Sequence, residues 1–385
     1  MIDKKKYNVL WFGPVSEPSG YGVASRGYLK ELVKHKDIQL KLVNKYFWGG
    51  DRLDLSDEER DLFEVLADNE CLYGIPTLAV YHLTPDHYKI IPKVDKHVCL
   101  TTFETDSLPD YWLMPMRSMD EVWTYSQFNN ETFRNAKIGN PISVIPHGVD
   151  IGKFNPNIEP MEDLKEVIGD KFAFGSVFDW HGRKNPELLV ESFLRAFEGD
   201  EADKVCLVLK TFYNWVEDGD EFIRSKIKEI KEKVGKNKKL SEIFVLSDIL
   251  SSDDIPKFYA TLDCYVSPSK GEGWGLPFLE SMATGLPVIA TNWGGNTEFM
   301  TSENSYLLPY QLEYIKKEDS EHHPYFKEQR WAEVRQKDLI TKFKDIYFDQ
   351  KTARQVGELA RKDACNFSWE NAGNIMYENI VRILS

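Results

Sequence analysis

Ser267–Asn296 reads SPSKGEGWGLPFLESMATGLPVIATNWGGN. It continues an apolar run, CYVSP (264–268), with a loop punctuated by Gly271, Gly273 and Gly275. A helical stretch over Leu276–Thr284 and a second apolar run, PVIATN (287–292), follow. Strand, glycine loop, helix, strand is the repeating unit of a doubly wound parallel sheet. In such sheets ligands bind beyond the carboxyl ends of the strands, in loops that lead into helix N-termini. The glycines permit close backbone approach, and the N–H groups at the start of the helix, near Leu276–Leu279, are expected to be free for anionic oxygens. The helix dipole contributes only about 0.3–1 kcal/mol per charge, or ~2 when partly buried. A diphosphate therefore needs cationic side chains from elsewhere. Glu272 and Glu280 are ill suited to phosphate but suit hydroxyls, because a carboxylate can accept from two vicinal hydroxyls of a ribose or hexose. The bland alternative is an ordinary strand–turn–helix with surface glutamates.

The same rhythm extends in both directions. N-terminal to this stretch lie NVLWF (8–12), IQLKLV (38–43), TLAVYHL (77–83), HVCLTTF (97–103), EVWTYS (121–126) and ISVIPH (142–147), with helical stretches over Gly22–His35 and Asn129–Asn135 between them. Pro146–Pro160 interrupts the pattern with Gly, Pro and Asn and reads as a linker. The rhythm then restarts with FAFGSVF (172–178), VCLVLK (205–210) and IFVLSD (243–248), and with helices over Pro186–Phe197 and Asp253–Thr261. From about Gln329 onward the sequence reads as helices that close the second domain. The expected class is α/β with two Rossmann-like domains: 1–150, 151–367, and a terminal helix over 368–385.

A chain of 385 residues suits two such domains, and 42% hydrophobic with 29% charged residues is a globular composition. No apolar run approaches the ~20 residues of a membrane span, and no signal peptide is recognised at MIDKKKYNVLWFG. Five scattered cysteines, three of them inside apolar runs, read as buried thiols of a reducing compartment, so a cytoplasmic location is expected. The formal net charge of −14 disfavours nucleic acid and anionic membrane as general partners. Local basic residues such as Arg52, Lys184 and the Lys226–Lys239 stretch leave peripheral membrane contact open, although that stretch is more simply a solvated helix face.

Three further strand-to-helix loops carry candidate residues. DWHGRKNP (179–186) offers Arg183, a bidentate fork for phosphate, and Lys184, a point charge. EPSGYGVASR (17–26) places Gly20, Tyr21 and Gly22 after the first strand, but it lacks the third glycine of a dinucleotide fingerprint. TTFETD (101–106) offers Glu104, which reads equally as a capping acid. Metal sites are poorly supported. Asp218-Gly219-Asp220 lies before a helix, where aspartates favour capping, and His82/His87 and His322/His323 lack partners at ligand spacing.

Taken together, GEGWGLPFLESMATGLPVIAT with its two glutamates, RKNPELL, IPHGVD, WAE (331–333) and FSWE (367–370) resemble a large family of retaining glycosyltransferases of the two-Rossmann-domain (GT-B) type, glycosyl transferases group 1. The resemblance implies two domains facing each other across a cleft, with the final helix crossing back onto the first. It implies that Glu280 binds the donor ribose and Glu272 the donor sugar's hydroxyls. Lys184 and Arg183 would neutralise the departing diphosphate, and Gly273, Trp274, Gly275 and Leu276 would line the donor. Backbone at Asp248, Ile249 and Leu250 would meet the base, and Gly20, Tyr21 and Gly22 would approach the phosphates. Lys210, at the end of VLK, would add a charge. Many members carry histidine where this chain has Glu104 and arginine where it has Phe178, so Glu104 is expected to contact the sugar or the attacking hydroxyl. The family uses a nucleotide-sugar as substrate, without metal or other cofactor, and a saccharide, lipid-linked glycan or other hydroxyl compound as acceptor. Other readings remain open: a GT-B epimerase or phosphorylase, a non-catalytic binding subunit, and a transferase acting on modified DNA.

Overall fold

The computed structural model describes residues 5–46, 55–91, 93–213, 217–235, 238–321 and 324–385. Arg52 and the His322/His323 pair lie outside the described residues. The chain divides into two compact units, Met1–Asp150 with Asn366–Ser385, and Ile151–Cys365.

The first unit contains β1 (Tyr7–Gly13), α1 (Gly20–Leu32), β2 (Ile38–Asn44), α2 (Asp57–Asp68), β3 (Thr77–Tyr81), β4 (Lys96–Leu100), α3 (Asp110–Arg117), β5 (Glu121–Thr124), α4 (Gln127–Asn135) and β6 (Ile142–Val144). Its strands form one parallel sheet in the order β2-β1-β3-β4-β5-β6. Val9, Trp11, Val80, Val98 and Val122 are fully buried, as befits strands covered on both faces.

The second unit contains α5 (Glu162–Ile168), β7 (Phe172–Asp179), α6 (Pro186–Ala196), β8 (Val205–Phe212), α7 (Gly219–Gly235), β9 (Glu242–Leu246), α8 (Asp254–Ala260), β10 (Cys264–Ser267), α9 (Leu276–Thr284), β11 (Val288–Thr291) and β12 (Tyr306–Leu308). The parallel sheet runs β12-β11-β10-β7-β8-β9, so the strand order reverses between β7 and β10. One core packs Phe174, Phe193, Phe197 and Phe343 together with Leu207, Leu209 and Val266. In α7 the buried side chains are Ile223, Ile227, Ile230 and Val234, spaced as one helical stripe, which leaves its lysines outside.

After β12 come β13 (Tyr310–Tyr314), α10 (Lys317–Glu321), β14 (Arg330–Val334), α11 (Gln336–Phe348) and α12 (Gln350–Ala364). The expectation of helices from Gln329 is corrected at its start, because β14 is a strand that pairs antiparallel with β13. Trp331 and Ala332 on β14 are buried while all of β13 is exposed, so only half of the hairpin carries an apolar signal.

The last helix, α13 (Trp369–Leu384), belongs to the first unit. Ser368 caps it by accepting from the Asn371 N–H. Its residues Trp369, Tyr377 and Arg382 contact Tyr28, His35 and Glu121 respectively, and Arg382 Nη2 reaches Glu121 Oε1 at 2.6 Å. Among the described residues no helix is long and apolar enough to cross a membrane.

Candidate active site

Loops from both sides of the β7/β10 reversal meet in the second unit, the place where open α/β sheets bind ligands. After β7, Gly182–Lys184 form one 3-10 turn, and Asn185 takes a left-handed conformation (φ 58°) that sets Pro186 at the first turn of α6. The turn is fastened to the loop after β10 by Lys270 N–H donating to Arg183 O at 2.7 Å and Asn185 Nδ2 donating to Pro268 O at 3.3 Å. Lys184 Nζ lies 2.5 Å from Glu272 Oε1. Arg183 Nη1 donates to Gly271 O at 2.6 Å and to Glu272 Oε2 at 3.2 Å.

The expected pair of cations and the expected glutamate are therefore one buried cluster, with Glu272 only 7% exposed. Burial alone would raise the Glu272 pKa, but the charges of Lys184 and Arg183, with hydrogen bonds from Lys184 and Ser269, hold it below the ordinary carboxylate value. Asp179, the last residue of β7, behaves oppositely. Burial pushes its pKa up to about 6 against the pull of Lys184 and Arg183, and its buried Oδ1 accepts no hydrogen bond among the described residues. Sequence reading gave Asp179 no role, although it stands four residues before Arg183.

The loop after β11 completes the cradle. Gly295 N–H donates to Glu272 O at 2.7 Å, and a Cβ at Gly295 would lie 1.9 Å from Gly273 O. Gly275 has φ 92°, which only glycine adopts without strain, and it starts α9. The expectation of several free N–H groups there is corrected. Pro277 has no N–H, and those of Phe278 and Leu279 donate to Gly275 O, leaving Leu276. Trp274 is 3% exposed and packs on Phe299, so its indole belongs to the core and only its backbone remains for a ligand.

On α9, one oxygen of Glu280 accepts from Tyr259 Oη at 2.9 Å. Burial raises the Glu280 pKa to about 7, with the Tyr259 hydrogen bond pulling back. Tyr259, on α8, escapes sequence reading because nothing links it to a residue 21 positions on. Lys210, near the end of β8, is buried, while Asp248 and Ile249 after β9 are exposed and Leu250 is half-buried. Phe178, the position for which the resemblance implies arginine, is core. Behind the site Lys270 Nζ pairs with Glu333 Oε1 at 2.7 Å and lies 4.6 Å from the Trp331 ring centre, so the WAE residues brace the segment that carries Glu272.

In the first unit, Ser19 caps α1 by accepting from Gly22 N–H, and Tyr21 Oη lies 2.9 Å from Thr101 Oγ1. Burial raises the Tyr21 pKa, and the charge of half-buried Glu104 adds to the shift. Gly20 is exposed; a Cβ at Gly22 would strike Glu17 O at 2.2 Å. His82 is fully buried between Ser25 Oγ (2.6 Å) and Tyr125 Oη (2.7 Å), with its pKa lowered to about 3, so it is a neutral structural imidazole. Asp218, in the acidic triplet, accepts from the Glu221 N–H and caps the start of α7, and Asp220 accepts from Ser247 Oγ.

The profile of the family described as glycosyl transferases group 1 matches residues 172–315. Lipopolysaccharide core biosynthesis mannosyltransferase LpsB of Rhizobium meliloti is 32% identical over 184 residues, 44% of this chain and 46% of that protein. The chain spans about half or less of the length of the curated relatives it matches. Among solved structures, sucrose-phosphate synthase from Thermosynechococcus elongatus superimposes with a TM-score of 0.68 at 17% identity, covering 98% of this chain and 99% of that one. Anabaena HepE in complex with UDP-glucose gives 0.66 at 14% identity, covering 97% and 99%. These likenesses fix the architecture as GT-B, and residues 172–315 are similar to the family described as glycosyl transferases group 1.

Proposed function

We propose that the chain transfers a sugar from a nucleotide-diphosphate-sugar to a hydroxyl of a saccharide, lipid-linked glycan or other acceptor, with retention at the anomeric carbon and without a metal ion. The observation that carries this reading is the buried Arg183–Lys184–Glu272 cluster at the sheet's reversal point, with Glu280 on the helix that follows. As the bond between sugar C1 and phosphate breaks, negative charge grows on the leaving diphosphate. Arg183 and Lys184 are preorganised to stabilise that charge more than the ground state. When they turn to phosphate, Glu272 is released to accept from sugar hydroxyls, and Glu280 accepts from the ribose. Relatives support the donor class, since HepE binds UDP-glucose. Retention, metal independence and the acceptor class follow the family resemblance.

The test incubates the protein with UDP-, GDP-, ADP-, CDP- and dTDP-sugars and an acceptor library, with and without EDTA, and follows release of the nucleotide diphosphate. The product's anomeric configuration is read by NMR. EDTA-insensitive release with an α product from an α donor is expected. Inversion would overturn the stereochemical reading, loss in EDTA the metal reading, and absence of any release the reaction itself.

A further inference from the structure

Asp179, the last residue of β7, is a carboxylate that the Glu272 cluster approaches but does not bond. Its Oδ1 is buried, and among the described residues no hydrogen bond or ion pair reaches either of its oxygens. The chain turns tightly here, with the Asp179 carbonyl accepting from the His181 N–H at 2.9 Å. Arg183 and Lys184, in the turn that follows, direct their donors to Glu272 and Gly271 O and act on Asp179 through charge. Tyr213, just after β8, feels the Asp179 charge in return. On β8, Lys210 stands two residues before Phe212, the register partner of Asp179, and His181 follows on the same segment as Asp179. Glu272 faces the same two cations from the loop after β10. An ionised carboxylate buried without donors is costly, and a carboxyl in that setting takes a proton readily. Burial accordingly pushes the Asp179 pKa up to about 6, and the charges of Lys184 and Arg183 pull it back.

A diphosphate held by Arg183 and Lys184 removes what keeps Asp179 ionised. It draws off the two cations that offset the carboxylate, and it brings further negative charge into a buried site. Glu272 gains sugar hydroxyls in exchange for its cations, whereas Asp179 has no hydrogen-bond donor among the described residues to turn to. The inference rests on the donor-site reading above and adds its regulation by pH. We propose that Asp179 takes up a proton from solvent when the diphosphate of a nucleotide-sugar binds, so that donor binding is proton-linked. The proton joins a carboxylate oxygen, and no other covalent bond forms or breaks. A ligand that binds with proton uptake loses affinity as pH rises. That loss begins near pH 6, where the free carboxyl titrates, and ends where the carboxyl of the complex titrates. Glu280 works in the opposite sense, because it keeps a proton up to about pH 7 and releases it to accept from ribose hydroxyls. Only a comparison that holds Glu280 constant isolates Asp179.

The experiment is titration calorimetry of the full chain and of Asp179→Asn with UDP-, GDP-, ADP-, CDP- and dTDP-glucose, continued with whichever binds. A nucleotide-sugar suits the purpose, because its diphosphate is esterified at both ends and lacks the phosphate proton that a terminal phosphate exchanges near neutral pH. Titrations at pH 7 in PIPES, HEPES and imidazole, whose ionisation enthalpies differ, give the number of protons exchanged. The wild type is expected to take up at least about 0.4 proton more than Asp179→Asn. The neutral, isosteric variant is expected to match the wild-type affinity within about twofold at pH 5.5 and to bind about tenfold tighter at pH 8. Asp179→Ser, neutral and smaller, repeats the comparison if Asp179→Asn does not fold. Equal proton exchange in the wild type and the folded variants overturns the proposal. Binding that both folded variants lose at every pH also overturns it, since Asp179 then serves the ligand as an ionised acceptor. Either result leaves the donor site standing; no binding of any nucleotide-sugar by the wild type overturns the donor-site reading and this inference with it.

Discussion

At Glu280 the burial that prepares a hydroxyl clamp also works against the fold. Its folded pKa, about 7, lies above the ordinary 4.5, so the folded chain keeps a proton that the unfolded chain releases between those values. The stability tied to that proton is complete below pH 4.5 and is lost as pH rises toward 7, by at most about 3 kcal/mol. Glu280→Gln should therefore match the wild type at pH 4.5, exceed it at pH 8, and bind nucleotide more weakly; thermal melts across that range with and without nucleotide check both parts. A mutant no more stable at pH 8 would show that Glu280 is not strained by burial. Lys184 is the complementary case. Lys184→Ala should lower turnover by more than ~10²-fold with little change in melting, because Arg183 and Ser269 still hold Glu272. Near-normal turnover would remove Lys184 from the chemistry. The residue types at both positions were legible in the sequence, as a charge pair and a glutamate at strand ends. Their mutual neutralisation was not, because Lys184 and Glu272 meet across 88 positions of chain.

Elements were legible where burial writes a period into the sequence. The parallel strands are apolar runs, and α9 is framed by Gly275 and Gly285, both with positive φ. In α2 only Phe63 and Leu66 are buried, too few to make a stripe, and β13 is exposed throughout, so neither announced itself. The Glu272 loop owes its shape to close backbone approach rather than to apolar pattern, and glycines alone record that. Gly295→Ala is the direct probe: its Cβ would collide with Gly273 O and displace the strand-end loop that holds Glu272 through its carbonyl. The expected cost is about 2 kcal/mol or more in stability, with at least tenfold weaker nucleotide binding by calorimetry. Unchanged affinity would mean that the loop adapts and that the cradle is not needed for the donor.

The chain as a whole is tied end to end within its first unit. Helix α13, the last element, packs on α1, nearly the first, and the two approach closely at two glycines: a Cβ at Gly27 would lie 2.4 Å from the Trp369 indole, and one at Gly373 would lie 2.3 Å from Glu31 Cβ. Sequence marked Phe367–Glu370 as a motif but gave no reason for Gly27, because a glycine inside a helix reads as a cost of about 1 kcal/mol rather than a contact. This makes a double-mutant cycle informative. Alone, Gly27→Ala should destabilise the protein by more than about 1 kcal/mol, against the gain that a helix interior normally draws from alanine. Trp369→Ala should also destabilise it, since the indole is half-buried against Tyr28 and His147. In the Trp369→Ala background Gly27→Ala should become neutral or stabilising, because the space it fills is then free and only helix propensity remains. Urea titrations of the four proteins give the coupling. Additive effects would mean that α13 reaches α1 without depending on this glycine, and that the fold's closure is spread over Tyr377, Arg382 and their partners instead.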